Sequence, residues 1–467
     1  MPRTRPIQEP GAALDWTDAL GGRGPRYLQV LHFLERAIAD GRLRPGDRLP
    51  PQRQLARQLG LDLTTVTRVY AEASARQLIH ARGALGTFVS APMVELSPVL
   101  DLGMNMPPPP ARIDVAGLLK DGMAQVLAHA DIDKLVSYQT GGGSPAERAA
   151  GARWLAPMLG RVDAQRMATA PGAQAALAGL VLALTRPGDR ILTEAMTYPG
   201  LIGACRQLGR SLAVVERDAH GMRPDALASA CREGGAGVLY LNPTLHNPTA
   251  TTMPEARRRE LAQVAARHDL QIIEDDPYWL LAEDPPPPVA HWAPERTHYL
   301  STLSKCLAPG LRTAYVASPS EHARKALLTA LRATTLMPSP LATAMVTQWI
   351  HDGTAGQWLQ GVKAEARTRQ ELAEHILADG ERRWPRGTIH LWYELPGHWT
   401  PTELAIAARM EGLAVTSSDA FAAGTEKPRA IRISLGGIKQ RYRLEQALRT
   451  LVDLLGKEPT PLDQTLI

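Results

Sequence analysis

The sequence predicts two folded parts: an N-terminal helix-turn-helix with a β-wing (α+β), then an α/β body on a mostly parallel sheet. Three observations carry this. All of the chain's basic excess lies in its first ninety residues. Two short helical stretches there flank a glycine turn. After residue 110, helical patterns alternate with short β-rich runs.

A chain of 467 residues is longer than one domain usually holds, and 44% hydrophobic residues suffice for ordinary globular cores. The net charge of +5 is unevenly placed: residues 1–90 hold 13 arginines, no lysine and 8 carboxylates, while the rest holds 39 basic and 39 acidic groups. A nucleic-acid-binding module requires such an excess, though a plain soluble surface can show it too. Cys205, Cys231 and Cys306 are odd in number and form no CxxC pair, so neither a disulfide framework nor a metal site is indicated. A reducing, cytoplasmic setting fits best. The opening MPRTRPIQEPGAALDWTDAL carries charge and proline where a signal peptide needs an apolar core. The longest apolar run, 175–184, is too short to span a bilayer, so no membrane partner is expected.

In the head, Leu28, Leu31, Phe33, Leu34 and Ile38 recur at helical spacing over 27–40, and Gly41 follows as a stop. Within GRLRPGDRLPPQRQLARQLGLDLTTVTRVYAEASARQL, Pro50-Pro51 opens a helix over 52–59 and Gly60 ends it. Asp62 or Thr64 can cap a second helix from about Thr65 to Gln77. That second helix would enter the major groove of DNA with Thr64, Thr65, Thr67 and Arg68 near bases or phosphates. LIHARGALGTFV reads as two short strands around a glycine turn, the wing.

This segment resembles the winged helix-turn-helix of GntR-type bacterial repressors. Pro45-Gly46-Asp47, Leu49-Pro50, Arg53-Gln54-Leu55-Ala56, Thr65-Val66, Tyr70 and Gly86-Thr87-Phe88-Val89 carry the resemblance. It implies that Arg53, Thr65, Thr67 and Arg68 contact double-stranded DNA at an operator, and that Leu55, Leu59, Val66 and Val69 are core. The pattern departs at Gln77, where a glycine usually follows the recognition helix, and at Leu85, where the wing often carries a basic residue.

Residues 91–110, APMVELSPVLDLGMNMPPPP, read as an extended connection or arm. Beyond it, strands are expected at 190–193, 212–215, 237–241, 270–275, 298–302 and 313–317. Ligands on sheets of this kind sit beyond the carboxyl ends of strands, so the loops there matter most.

Five stretches stand out. TAPGAQAALAGL (169–180) opens a helix at Ala173 and Gln174, whose free N–H groups suit an anion or an ordinary cap. Tyr198, just after a strand, can stack on a flat ligand or belong to the core. In YLNPTLHNPTA (240–250), Asn247 can present its amide from a rigid turn or simply form that turn. IIEDDPYW (272–279) ends an apolar strand with Asp275 and, three residues on, Tyr278; alone, such a carboxylate is ordinarily solvated or capping. Finally, STLSKCLAPGLR (301–312) gathers Thr302, Ser304, Lys305 and Arg312 around a Pro-Gly turn.

Their order resembles the fold type I pyridoxal-phosphate enzymes, the aspartate aminotransferase superfamily, over roughly residues 100–460. An aldehyde with a dianionic phosphate calls for an amine, hydroxyls and a guanidinium. The resemblance implies pyridoxal 5'-phosphate held by Lys305 as an internal aldimine. Thr302, Ser304, Arg312 and the Ala173–Gln174 backbone would take its phosphate, and Asp275 its pyridinium nitrogen. Tyr278 and Asn247 would reach the phenolic oxygen, with Tyr198 stacked on the ring. Tyr138, in SYQTGGGSP, would reach the phosphate of a neighbouring subunit, so a homodimer is implied. Arg432, in IRISLGG, would grip an α-carboxylate. The resemblance also implies a large part at about 150–340 and a smaller α+β part at about 341–460. The sequence departs from the family at Ala146-Glu147-Arg148 and at the NPTA end of the asparagine loop.

Together, a domain at 20–90, a linker and arm at 91–110 and a body at 111–467 resemble the MocR subfamily of GntR regulators. That implies a transcription factor sensing an amino acid, an amine or a B6 vitamer. The alternative is a working aminotransferase carrying a DNA-binding head. An arginine-only basic head has no use in catalysis, whereas the intact lysine and aspartate speak against a dead body.

Overall fold

Pro50-Pro51 cannot continue a helix from upstream, and Gly60 adopts φ +62°, a left-handed conformation that side-chain-bearing residues rarely take. Between them runs α2 (Gln52–Leu59), preceded by α1 (Arg26–Ala39) and followed by α3 (Leu63–Ala75). The antiparallel ribbon β1 (Ile79–Ala81) and β2 (Thr87–Val89) completes the head in the register Ile79↔Val89. Leu31, Leu34, Leu55, Val66 and Val69 fill its core. The second helix starts two residues earlier than the sequence suggested, because Asp62 rather than Thr64 takes the N-cap position. Thr64 and Thr65 therefore sit in the first helical turn.

The computed structural model describes residues 14–459 except 22–23, 41, 77, 82, 91–98, 378–383 and 426–427. The chain divides into one unit ending at Pro98 and a second beginning at Val99. Gln77 and the first part of the expected connection, 91–98, lie outside the described residues. The rest of that connection is built into the second unit: β3 (Leu100–Asp101) pairs in parallel with a strand near the C-terminus, Leu413–Ala414. Its backbone also nests on Gly436 and Gly437, where an added Cβ would lie 1.8 Å from Met106 O and 2.4 Å from Asp101 O. Local composition marked this stretch as a connection or arm without saying what it touches; its backbone partners lie far away in the sequence.

In the body α4 (Val115–His129), α5 (Ile132–Leu135) and α6 (Pro145–Leu159) precede the sheet, and α6 opens on a Ser144–Glu147 capping box. Then follow β4 (Met167–Ala170), α7 (Ala173–Leu184), β5 (Arg190–Glu194), α8 (Pro199–Gln207) and β6 (Ser211–Val215). The small hairpin β7 (Arg217–Asp218) and β8 (Gly221–Met222) leads to α9 (Pro224–Arg232), β9 (Ala236–Leu241), α10 (Glu255–Arg267) and β10 (Gln271–Asp275). Next come β11 (Thr297–Thr302), α11 (Leu303–Cys306), β12 (Ala314–Ala317), α12 (Glu321–Thr334), α13 (Pro340–Asp352) and α14 (Thr354–Leu377). The main sheet has the order β4-β12-β11-β10-β9-β5-β6 and is parallel except for β12, which runs against both of its neighbours. All six strands expected from β-rich runs belong to it. The seventh, β4, has the sequence MATA; its alanines carry little strand signal, and only its pairing with β12 makes it a strand.

The C-terminal part is α+β: β13 (His390–Glu394), α15 (Pro401–Met410), β14 (Leu413–Ala414), β15 (Thr416–Ser417), β16 (Ala430–Ser434) and α16 (Arg441–Leu455). Its antiparallel sheet has the order β13-β16-β15. The strand ends of the main sheet, the arm and β16 together position the site.

Candidate cofactor site and DNA-reading face

Strand alternation splits Glu274 and Asp275, which end β10, from each other, and Asp276 follows the strand. Glu274 and Asp276 face one side, where Glu274 accepts from the Val289 and Ala290 amides at 2.7 and 2.8 Å and Thr244 donates to Asp276 at 3.0 Å. Burial pushes both carboxyls well up, helped by repulsion from Asp276 on Glu274 and from Asp275 on Asp276, with the buried Arg258 opposing. Asp275 faces the other side and is 4% exposed. Its Oδ2 accepts from the Tyr240 hydroxyl at 2.8 Å, while Oδ1 has no partner among the described residues. Burial raises its pKa to about 6, against the pull of Tyr240 and of Lys305.

Lys305 stands in α11, directly after β11. Burial lowers its pKa to about 8; the Arg432 and Arg312 cations add to that and Asp275 opposes it. Its Nζ donates to the Asn105 carbonyl of the arm. Thr302 caps α11: its Oγ1 accepts from the Ser304 amide at 3.2 Å and lies 3.0 Å from Ser304 Oγ.

Arg312 leaves the following turn at φ +44° and donates to Pro171 O at 3.0 Å. Its guanidinium lies 2.6 Å from where a Cβ on Gly172 would stand, and Gly172 has φ +93°, a backbone conformation that favours glycine. Gly172 opens α7, whose first amides, at Ala173 and Gln174, have no acceptor within the helix. The Gln174 side chain instead donates to Gly200 O at 2.9 Å. Tyr198 sits at the N-cap of α8, its ring within 2.2 Å of a Cβ added to Gly200.

Arg432, on β16, is 7% exposed. It donates to Asn247 Oδ1 at 2.7 Å and to Gly103 O, its Nε has no partner among the described residues, and its guanidinium lies 4.9 Å from the Phe421 ring centre. Tyr278 is buried and accepts from Asn105 Nδ2 at 2.9 Å. The structure thus brings Ala173, Gln174, Tyr198, Asn247, Asp275, Tyr278, Thr302, Ser304, Lys305, Arg312 and Arg432 to one group of strand ends and loops. Tyr138 stands apart from them: it is 80% exposed beyond α5.

In the head, Arg53, Thr64, Thr67 and Arg68 are exposed and Thr65 is partly covered. Thr67 donates to Gln52 at 2.9 Å, and Arg68 stacks 3.9 Å over the Tyr27 ring and bonds its hydroxyl. Leu85 is 66% exposed at the wing tip. Beside it, the Arg48 side chain crosses Gly86, a basic group that the sequence reading did not single out.

Residues 97–451 match the aminotransferase class I and II family and residues 26–89 the gntR family of bacterial regulatory proteins. The uncharacterised HTH-type transcriptional regulator YdeF of Bacillus subtilis is 30% identical over 92% of this chain and 94% of its own. The chain belongs to the MocR subfamily of GntR-type transcriptional regulators.

A second MocR-like relative, the vitamin B6 salvage pathway transcriptional repressor PtsJ of Salmonella typhimurium, is 29% identical over 88% of this chain and 94% of its own. Among solved structures, the α-aminoadipate aminotransferase LysN of Thermus thermophilus, complexed with N-(5'-phosphopyridoxyl)-L-leucine, superposes with a TM-score of 0.70. It is 25% identical and covers 77% of this chain and 92% of its own. The cofactor of this MocR-type body is pyridoxal phosphate.

The residues present fit that group. Asp275 Oδ1 is a buried acceptor awaiting a donor, and Lys305 is a partly desolvated amine. Arg312, the α7 amides and two hydroxyls form a cradle for a phosphate. When bound, the cofactor supplies an aldehyde for covalent capture of amines and a ring that accepts electrons.

Three residues of the site escaped the sequence reading. Asn105 looked like part of a spacer. Tyr240 was passed over in the YLNP turn, although it is the direct partner of Asp275. His390 lies in an ordinary-looking strand, yet it is fully buried with a pKa lowered to about 3 by burial and the nearby Arg432 cation.

Proposed function

We propose that this regulator binds operator DNA through α3 and the wing. Its body would hold pyridoxal phosphate on Lys305 and take an amino acid, an amine or a B6 vitamer as effector. The reading rests on one conjunction within a single chain: a recognition face carrying exposed Arg53, Thr64, Thr67 and Arg68 and a partly covered Thr65, and a buried Asp275 whose Oδ1 has no partner among the described residues, in the group that contains Lys305. PtsJ, by its name, regulates vitamin B6 salvage, which favours a B6 vitamer among the candidate effectors. Arg432, with an unpartnered Nε, favours a carboxylate ligand. The protein acts in the cytoplasm, where its DNA is, and no helix of the described residues is long and apolar enough to cross a membrane. A homodimer is supported by the apolar side chains that α4, α5 and the following loop expose, Leu127, Ile132, Val136 and Tyr138 among them.

A mobility-shift titration with the promoter beside its own gene tests this, run with amino acids and B6 vitamers and read together with the visible spectrum. A retarded band whose affinity changes with one ligand class supports the regulator. No band under any condition refutes it. The second reading, an aminotransferase, is favoured by the joint presence of Lys305, Asp275 and Arg432. Formation of a 2-oxo acid from an amino donor, absent in Lys305→Ala, would establish it.

A further inference from the structure

The arm places Asn105 against two parts of the site at once. Its carbonyl accepts from Lys305 Nζ. Its Nδ2 lies 2.9 Å from the Tyr278 hydroxyl and 3.1 Å from His390 Nδ1. On the far side of the His390 ring, Nε2 lies 3.1 Å from the His246 carbonyl, and the Tyr278 ring is 5.4 Å away.

These contacts determine where each proton sits. A backbone carbonyl only accepts, so His390 Nε2 carries hydrogen. The ring is fully buried and neutral, which leaves a lone pair on Nδ1. Asn105 must therefore present its amide nitrogen; turned over, Oδ1 would face that lone pair, acceptor against acceptor. One Nδ2 proton goes to His390 and the other to Tyr278. The Tyr278 oxygen is thereby used as an acceptor, and its own proton has no acceptor among the described residues. The orientation also explains why Asn105 Oδ1 is buried without a partner: His390 dictates it.

We propose that Asn105 and His390 are positioning residues: together they hold the Tyr278 hydroxyl as a hydrogen-bond donor into the site and keep the Lys305 amine beside it. The inference rests on the reading of this pocket as the cofactor site and adds to it which group sets the direction of the tyrosine's hydrogen bond. With the cofactor bound, a bond donated by Tyr278 to its phenolic oxygen would draw electron density from that oxygen. Proton release from the Lys305 nitrogen would thereby become easier. Without the relay, the hydroxyl can rotate to donate elsewhere, and that proton is held to higher pH.

The test uses the full-length protein loaded with pyridoxal phosphate. Two quantities are read: the pH midpoint of its visible absorbance and the cofactor dissociation constant. Asn105→Leu keeps the backbone carbonyl and approximate volume but removes both amide protons; His390→Phe removes the acceptor that orients them. Each should raise the midpoint by about one unit and weaken cofactor binding about tenfold, as expected for loss of a hydrogen bond to a charged group. Tyr278→Phe should do the same, and adding Asn105→Leu to it should change nothing further, since the relay acts only through that hydroxyl.

Single variants with a wild-type midpoint overturn the proposal, as do shifts in the double variant that add. A merely structural role would lower the melting temperature and leave the midpoint in place. Should Asn105→Leu misfold by circular dichroism, Asn105→Ala and His390→Leu carry the same comparison, since neither side chain can donate or accept a hydrogen bond. A wild type that takes up no cofactor would sink the reading of the pocket and this inference with it, whereas normal loading with unmoved variants sinks the inference alone.

Discussion

Burial perturbs Lys305 and Asp275 in opposite senses, and both perturbations have measurable consequences. Lys305 is pushed down to about 8, so its reactive free-amine form grows as pH rises towards that value. The rate of cofactor loading should rise with pH and level off above about 8, measured by stopped-flow absorbance. Asp275 is pushed up to about 6, from 3.8. Its native state binds the proton more tightly than the unfolded chain does. The stability this group contributes is therefore complete below about 4 and is lost as pH rises through about 6, roughly 3 kcal/mol in all. Asp275→Asn should thus raise the melting temperature of the cofactor-free protein at neutral pH while weakening the cofactor by about 3–5 kcal/mol, the cost of stripping one partner from a buried pair. A melting temperature that falls in the cofactor-free variant would contradict the first half. Lys305, Asp275 and Arg312 were legible in the sequence because each carries unusual chemistry next to a strand end or turn. Asn105 was not, since 200 positions separate it from Lys305 and 285 from His390.

At the scale of elements, glycines mark where backbone must pass close to something or turn the wrong way. Gly60 ends α2 in a left-handed conformation, so Gly60→Ala should cost the head about 1 kcal/mol, read from its denaturation midpoint. Gly436 is different: a Cβ there would stand 1.8 Å from the Met106 carbonyl, leaving no room for the arm. Gly436→Ala should displace residues 101–107, expose them to protease and hydrogen exchange, and loosen cofactor binding through Asn105; an arm as protected as in the wild type would refute this. The helices of the head and six strands of the main sheet were readable from periodicity and turn residues. The docking of the arm through β3 and the strand β4 were not, because neither has a local signal: β3 pairs with Leu413–Ala414 near the C-terminus, β4 with β12.

At the scale of the whole molecule, charge and chemistry are divided between two units. The head holds 13 arginines against 8 carboxylates; the remainder is balanced at 39 each. DNA affinity should therefore fall steeply with salt, by a slope of about −0.9 per phosphate neutralised, and Arg53→Ala should flatten it by about one such contact. An unchanged slope would remove Arg53 from the interface.

The sequence by itself determined the class of each unit, the order of most elements and the residue types that gather at the candidate site, because periodicity, turn chemistry and reactive side chains are written locally. Only the tertiary structure decided that a proline-rich stretch is part of the body, that Asp275 leans on Tyr240, and that a buried histidine orients an amide. Those outcomes depend on which distant groups are desolvated against one another, and desolvation is a property of the packed chain.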